Sequence, residues 1–125
     1  MQQNTGLWHS FQEGGWGMYP ILALGLVGLF SAARFAWRGE RSLVGALRWL
    51  VFALVSCGVF GFVIGMIRAS HFVAALSAPE QRGAVLVEGL GEALNNVAMA
   101  LLFAVLIGLL VALGKRRFPA LDAAR

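Results

Sequence analysis

The chain has 125 residues, room for one domain, and 59% of them are apolar against 13% charged, a balance that excludes an ordinary soluble globular domain. The net charge of +4 comes from ten Lys and Arg against six Asp and Glu; the basic residues fall mainly at the ends of apolar runs, a placement that membrane topology explains and nucleic-acid binding does not. The single cysteine, Cys57, lies inside an apolar run, so no intrachain disulfide can form and the thiol reads as a small packing residue.

Residues 1–15 carry no Lys or Arg, and no small-residue cleavage site follows a short apolar core, which predicts a retained N-terminus. Leu7, Trp8 and Phe11 share a helical face opposite Gln2, Gln3, His9, Gln12 and Glu13, the pattern of a short helix lying in the membrane interface, with a plain polar tail as the alternative. His9 has no second His, Cys or carboxylate at metal-ligand spacing and reads as a solvated interfacial residue. Gly14-Gly15 breaks this segment. Trp16, Tyr19 and Pro20 mark the approach to a first span over residues 16–33, its helix continuing to about 37 and closed by Arg34, Arg38 and Arg41. Gly25, Gly28 and Ala32 lie three to four apart within it. Such a stripe either admits another backbone closely or reflects ordinary glycine usage in membrane helices.

Ser42 stands where it can cap a second helix over residues 43–76, whose apolar run from Leu43 to Ile67 is interrupted only by Arg48, and in which Cys57, Gly61 and Gly65 recur at fours. Ser77-Ala-Pro-Glu80 has the composition of a capping box opening a third helix over 78–116, with a tail over 117–125. The second and third helices are thus expected to form a tight hairpin. A turn at residue 77 levels Arg68 with residue 86, within reach of Glu88, so an Arg68–Glu88 ion pair is the plain structural account of those two charges. Phe62 falls level with Glu92, which has no basic residue at its own height. His71 falls level with Gly83 and reads as a solvated histidine.

The third helix carries the most informative stretch. Glu92, Asn95 and Asn96 head an uninterrupted apolar run from Val97 to Gly114, long enough to cross most of a bilayer. Glu92, Asn96, Ala100, Ala104, Gly108 and Ala112 fall four apart, on a face that drifts slowly around the helix while bulky residues such as Leu102, Phe103 and Leu106 fill the rest. A carboxylate and a carboxamide on a small-residue stripe point to a bundle interior or a water path.

Charge asymmetry sets an expected orientation. Glu13 alone precedes the first span; Arg34, Arg38, Arg41 and Arg48 against Glu40 lie between the first and second; Lys115, Arg116, Arg117 and Arg125 against Asp122 follow the third. The turn at 77 is flanked by Arg68 and Arg82 against Glu80 and Glu88. The positive-inside rule then puts the N-terminus and the 77 turn outside, and the loop near residue 40 and the C-terminus inside. The expected fold is an all-α membrane protein with three transmembrane helices, a short N-terminal interfacial helix and a long second/third helix hairpin.

Three segments in order resemble the MotA/TolQ/ExbB proton-channel family. Phe11-Gln-Glu-Gly-Gly-Trp-Gly-Met-Tyr-Pro-Ile-Leu22 resembles the family's approach to its first helix; Gly58-Val-Phe-Gly61-Phe-Val-Ile-Gly65-Met-Ile67 resembles the second-helix motif GLxGTVxGMI; Gly89-Leu-Gly-Glu92-Ala-Leu-Asn-Asn-Val-Ala-Met-Ala-Leu101 resembles the third-helix motif GxxEALxTTAxGL. The resemblance implies a pentamer in the bacterial inner membrane, N-terminus out and C-terminus in, whose second and third helices surround the helix of an ExbD/TolR/MotB-like single-span partner. It also implies that proton flow past an aspartate of that partner drives mechanical work. Glu92 matches the family's third-helix glutamate. Phe62 and Val97 stand where the family has threonines, Asn96 stands at the other threonine of the TTA motif, and the large cytoplasmic insertion is absent.

Two functional readings follow. In one the chain is a channel or motor subunit with Glu92, Asn96 and Asn95 along the ion path. In the other it is a non-conducting scaffold that anchors a partner helix through Gly61, Gly65, Ala100, Ala104 and Gly108. Beyond the homo-oligomer, that partner and lipid, no cofactor, metal or nucleic acid is expected. No Ser/His/Asp, Cys/His, paired-carboxylate or phosphate-cradling pattern suggests an enzyme.

Overall fold

A computed structural model describes residues 15–119, without the Trp16 side chain; the expected interfacial helix with His9, and most of the C-terminal tail, lie outside the described residues. A single 3-10 turn, Gly15–Gly17, leads into α1 (Met18–Arg38), followed by α2 (Ser42–Ala75) and α3 (Pro79–Arg117). The protein is all-α, and all three long helices have the length and apolar composition needed to cross a membrane.

The connections are short and closed by backbone bonds. α1 stops where Gly39 takes a left-handed conformation (φ 66°), its N–H donating to the Phe35 carbonyl at 2.9 Å. Arg34 and Glu40 bridge this corner with an exposed ion pair of 3.1 Å. Ser42 does not cap α2. It is the first helical residue, and Arg41 before it already has helical dihedrals, whereas a capping side chain needs an extended residue at that point. The capping box at Ser77 is not made either, because Ala78 occupies the cap position and Pro79 the first turn, leaving Ser77 one residue too far out. The guanidinium of Arg82 closes this turn instead, donating to the Leu76 carbonyl from Nε (3.3 Å) and Nη2 (3.0 Å).

Packing follows steps of three and four. The buried positions are Met18, Ile21, Gly25, Gly28, Ala32 and Phe35 on α1, and Ala93, Asn96, Ala100, Phe103, Ile107 and Gly114 on α3. This spacing averages about 3.5 residues, the period that keeps one seam in contact when helices coil left-handedly. Along the α2/α3 seam small residues interlock. A methyl group at Gly58 would lie 2.6 Å from the Ala100 Cβ, one at Gly61 3.1 Å from the Asn96 Cβ, one at Gly65 2.9 Å from the Ala93 Cβ, and one at Gly89 2.5 Å from the Ala69 Cβ. Each of these four contacts is thus closer than two Cβ atoms normally stand.

The α1 glycines do different work. A methyl at Gly25 would meet the Phe103 ring at 2.5 Å, and one at Gly28 would meet the tips of Ile107 (2.5 Å) and Leu50 (2.6 Å). The Gly25–Gly28 stripe is therefore a row of hollows for side chains, not a site of backbone approach. Phe35 completes the arrangement at the other end by filling the space above Gly114, where a methyl would lie 2.6 Å from its ring.

The fours-spaced stripe on α3 turns out of the packing as it descends. Asn96 and Ala100 are buried, Ala104 is half-buried, and Gly108 is exposed, with nothing within 4 Å of the point where a methyl would stand. Gly108 is thus not a packing residue within the subunit. The cause is geometric: four residues advance a helix by 400°, so every step drifts about 40° from the last.

The helices differ in extent. Gly17 lies against Asn96, and Gly39 lies against Phe118, so α1 is level with roughly residues 97–117 of α3. Gly61 on α2 also lies against Asn96. The remaining turns of the hairpin, up to Ala75 and from Pro79, have no α1 beside them and extend about 20–25 Å past its start at 1.5 Å per residue. α1 itself, 21 residues long, spans about 30 Å, close to the thickness of a hydrocarbon layer.

Candidate functional site

The small residues along the α2/α3 seam leave a groove. Its floor is Gly61, Gly65, Ala69, Gly89 and Ala93; Phe60, Ile64, Phe72 and Val85 form its apolar walls; Gly15, Gly17 and Pro20 close one end. The cavity measures about 620 Å³, and its polar groups are Arg68, Glu88, Glu92 and Asn96. Helical phase explains this membership. Cys57, Phe60, Ile64 and Arg68 immediately precede the seam residues Gly58, Gly61, Gly65 and Ala69, while Glu88 and Glu92 precede Gly89 and Ala93. A residue one step before a seam position points about 100° away from it, and in an antiparallel pair the two sets emerge on the same flank.

Glu88, Glu92 and Asn96 therefore form a column on α3, one turn apart, running from the projecting part of the hairpin to the start of α1. Glu88 and Glu92 are exposed; like charges at this spacing repel by a few tenths of a kcal/mol. Asn96 is different. It is 4% exposed, wedged between Gly61 and the turn at Gly17, and its Oδ1 is buried without a hydrogen-bond partner among the described residues. A buried acceptor left unpaired costs about 1–3 kcal/mol, so this carboxamide is a costly polar group where the neighbouring seam positions are small and apolar. Asn95 is half-buried and lies off the groove.

Arg68 and Glu88 share the groove but are not an ion pair; among the described residues no contact of 4.0 Å or less joins them. Both leave the same flank of the seam side by side, and both are exposed. Of the residues named from sequence, the structure brings Glu92, Asn96, Gly61, Gly65, Arg68 and Glu88 to one groove, places Ala100 on the seam below it, and leaves Asn95, Ala104 and Gly108 outside. Phe60, Ile64, Phe72 and Gly17 were not singled out from sequence. The position immediately before each small seam residue is the signal that finds Phe60 and Ile64.

No three His, Cys, Asp or Glu side chains among the described residues come close enough to hold a metal ion. No protein-family model, curated protein sequence or solved structure matches the chain.

Proposed function

We propose that this chain is a subunit of an ion-conducting channel or motor of the MotA/TolQ/ExbB kind in a bacterial inner membrane, coupling ion flow to a single-span partner protein. The observation that carries this reading is the column Glu88, Glu92 and Asn96, which leads from exposed carboxylates to a buried carboxamide whose Oδ1 has no partner among the described residues, at the level where α1 begins. Ionisable and unsatisfied polar groups at the head of a membrane bundle are costly, and they are retained where ions or protons pass. Glu92 receives the ion at the groove, and the partner helix accepts it further along. Arg34, Arg38, Arg41 and Arg48 at one end, with Lys115, Arg116 and Arg117, favour the N-out, C-in orientation.

The test is flux in liposomes containing this protein and its partner. Glu92→Gln keeps the shape and removes the charge; conduction is expected to fall to background, and unchanged flux would remove Glu92 from the path.

A scaffold reading is favoured by the interlocked seam itself. Gly61, Gly65 and Ala100 leave no channel between α2 and α3 within one subunit, and Phe62 and Val97 bring no hydroxyl to either helix. In that case Ala104→Leu disrupts assembly, whereas Glu92→Gln changes nothing measurable; Gly61→Leu, also expected to disrupt assembly, first forces α2 and α3 of the subunit itself apart.

A further inference from the structure

α1 and α3 run parallel and end together, α1 at Arg38 and α3 at Arg117. They approach closely there because Gly114 has no side chain: a methyl on it would lie 3.1 Å from the Ala36 Cα. Beside this approach lies a second cavity of about 520 Å³, walled by Ala33 and Ala36 of α1 and by Leu110 and Leu113 of α3. The two alanines are small where their neighbours are bulky, and this leaves the hollow. One helical turn beyond Leu113, Arg116 and Arg117 cap it, with Trp37 at the same mouth, 77% exposed. Both arginines are exposed, and neither has a partner among the described residues. No acidic residue lines the cavity, and Glu40, the acidic residue at this end among the described residues, is engaged by Arg34 at 3.1 Å.

We propose that this cavity seats a phospholipid with an anionic headgroup, its acyl chain along Ala33, Ala36, Leu110 and Leu113 and its phosphate held by Arg116 and Arg117. Depth supports the placement. α1, 21 residues long, matches the thickness of a hydrocarbon layer, so its last turn falls at the boundary where headgroups begin and where indoles such as Trp37 settle. Guanidinium groups bind phosphate oxygens in pairs, and basic pockets between membrane helices select anionic headgroups. The ammonium of a zwitterionic choline lipid would find no carboxylate here, only further positive charge from Arg38 and Lys115 nearby in sequence. The apolar wall from Leu110 to Arg117 is about 10 Å long. That length suits the upper part of an acyl chain and is too short a seam to hold a transmembrane helix. The inference needs only that the chain sits in a bilayer, and it stands or falls separately from the channel reading above.

Trp37 reports on the site directly. The full chain carrying Trp8→Phe, Trp16→Phe and Trp49→Phe keeps it as the sole indole. This chain is reconstituted in phosphatidylcholine vesicles containing rising fractions of dibrominated phosphatidylglycerol or, in parallel, dibrominated phosphatidylcholine, whose bromines quench an indole they touch. Half-maximal quenching is expected at a mole fraction about fivefold or more lower for the anionic lipid, the preference that one guanidinium near the headgroup supplies. Arg116→Gln with Arg117→Gln should bring the two curves together. Arg38→Gln with Arg48→Gln removes the same charge from the same end but outside the cavity, and should leave the preference in place. Ala33→Phe fills the hollow, alters no charge, and should move the anionic-lipid curve toward the choline-lipid one. Equal curves for the starting chain, a preference that survives loss of Arg116 and Arg117, or one lost equally with Arg38 and Arg48 would each overturn the proposal. So would Ala33→Phe without effect, or relief of quenching by millimolar glycerol phosphate, which would mark a site for the phosphate alone.

Discussion

Gly58→Ala adds one methyl group where α2 and α3 approach closely along their seam. That methyl would sit 2.6 Å from the Ala100 Cβ and 3.2 Å from the Asn96 carbonyl oxygen, about 1 Å inside ordinary carbon–carbon contact. Ala100 has no rotamer to change and the Asn96 carbonyl belongs to the helix, so only separation of α2 from α3 relieves the overlap. Overpacking of this kind costs about 1–3 kcal/mol, against a helix-propensity gain of up to about 1 kcal/mol for replacing glycine. The net expectation is a loss of about 1–2 kcal/mol. Reversible unfolding in mixed micelles, followed by far-ultraviolet circular dichroism as sodium dodecyl sulfate is added, reads this directly. Gly108→Ala is the control, since nothing lies within 4 Å of its added methyl. Ala100→Gly in the Gly58→Ala chain removes the overlap from the other side, and the cycle should give a coupling of roughly 1 kcal/mol or more. Equal stability of Gly58→Ala and Gly108→Ala, or a coupling near zero, refutes the interlocked seam.

Phe103→Ala empties the hollow over Gly25 and should destabilise the protein by about 3–5 kcal/mol in the same titration. Asn96→Ala removes a buried acceptor that has no partner among the described residues, so its cost should stay below about 1 kcal/mol, well under that of Phe103→Ala, because lost packing is offset by relief of the unpaired group. Arg82→Ala should lower stability more than Ser77→Ala, which should be neutral within about 0.5 kcal/mol, since Arg82 and not the serine closes the α2/α3 turn. Glu40→Gln should cost less than about 1 kcal/mol and less still at high salt, the Arg34–Glu40 pair being exposed.

The three spans were legible because apolar runs bounded by Arg34–Arg41, Ser77–Glu80 and Lys115–Arg117 leave little choice of boundary. Finer features were not. Ser77 has the right spacing to Glu80 for a capping box, but capping depends on which residue is extended, and Pro79 shifts that role to Ala78. Residue counting levelled the hairpin on Cα positions, yet the contacts join Gly61 with Asn96 and Gly65 with Ala93, each about three to four residues later on α3 than that level predicts. Cβ atoms lean toward the N-terminus of their own helix, which in an antiparallel pair shifts their meeting point in this direction and accounts for part of the offset. The fours-spaced stripe correctly joined Asn96 to Ala100 and then overran the contact at Gly108. Sequence also could not say what fills a glycine hollow, which at Gly25 and Gly28 is decided by Phe103, Ile107 and Leu50.

The seam between α2 and α3 is degenerate over its middle. Slipped by one turn, about 5.4 Å, Gly58 would face Asn96, Gly61 would face Ala93 and Gly65 would face Gly89, three crossings that each still include a glycine, while Ala69 would meet Val85 and Ala100 would meet Leu54 at its ends. Steric fit over the glycine crossings therefore does not by itself choose the axial position of the two helices. That choice is left to the two-residue spacing between Leu76 and Pro79 and to the keys that Phe103 and Ile107 drive into α1, which makes the connection at Ser77 and Ala78 a pin whose lengthening would let one rail slide along the other.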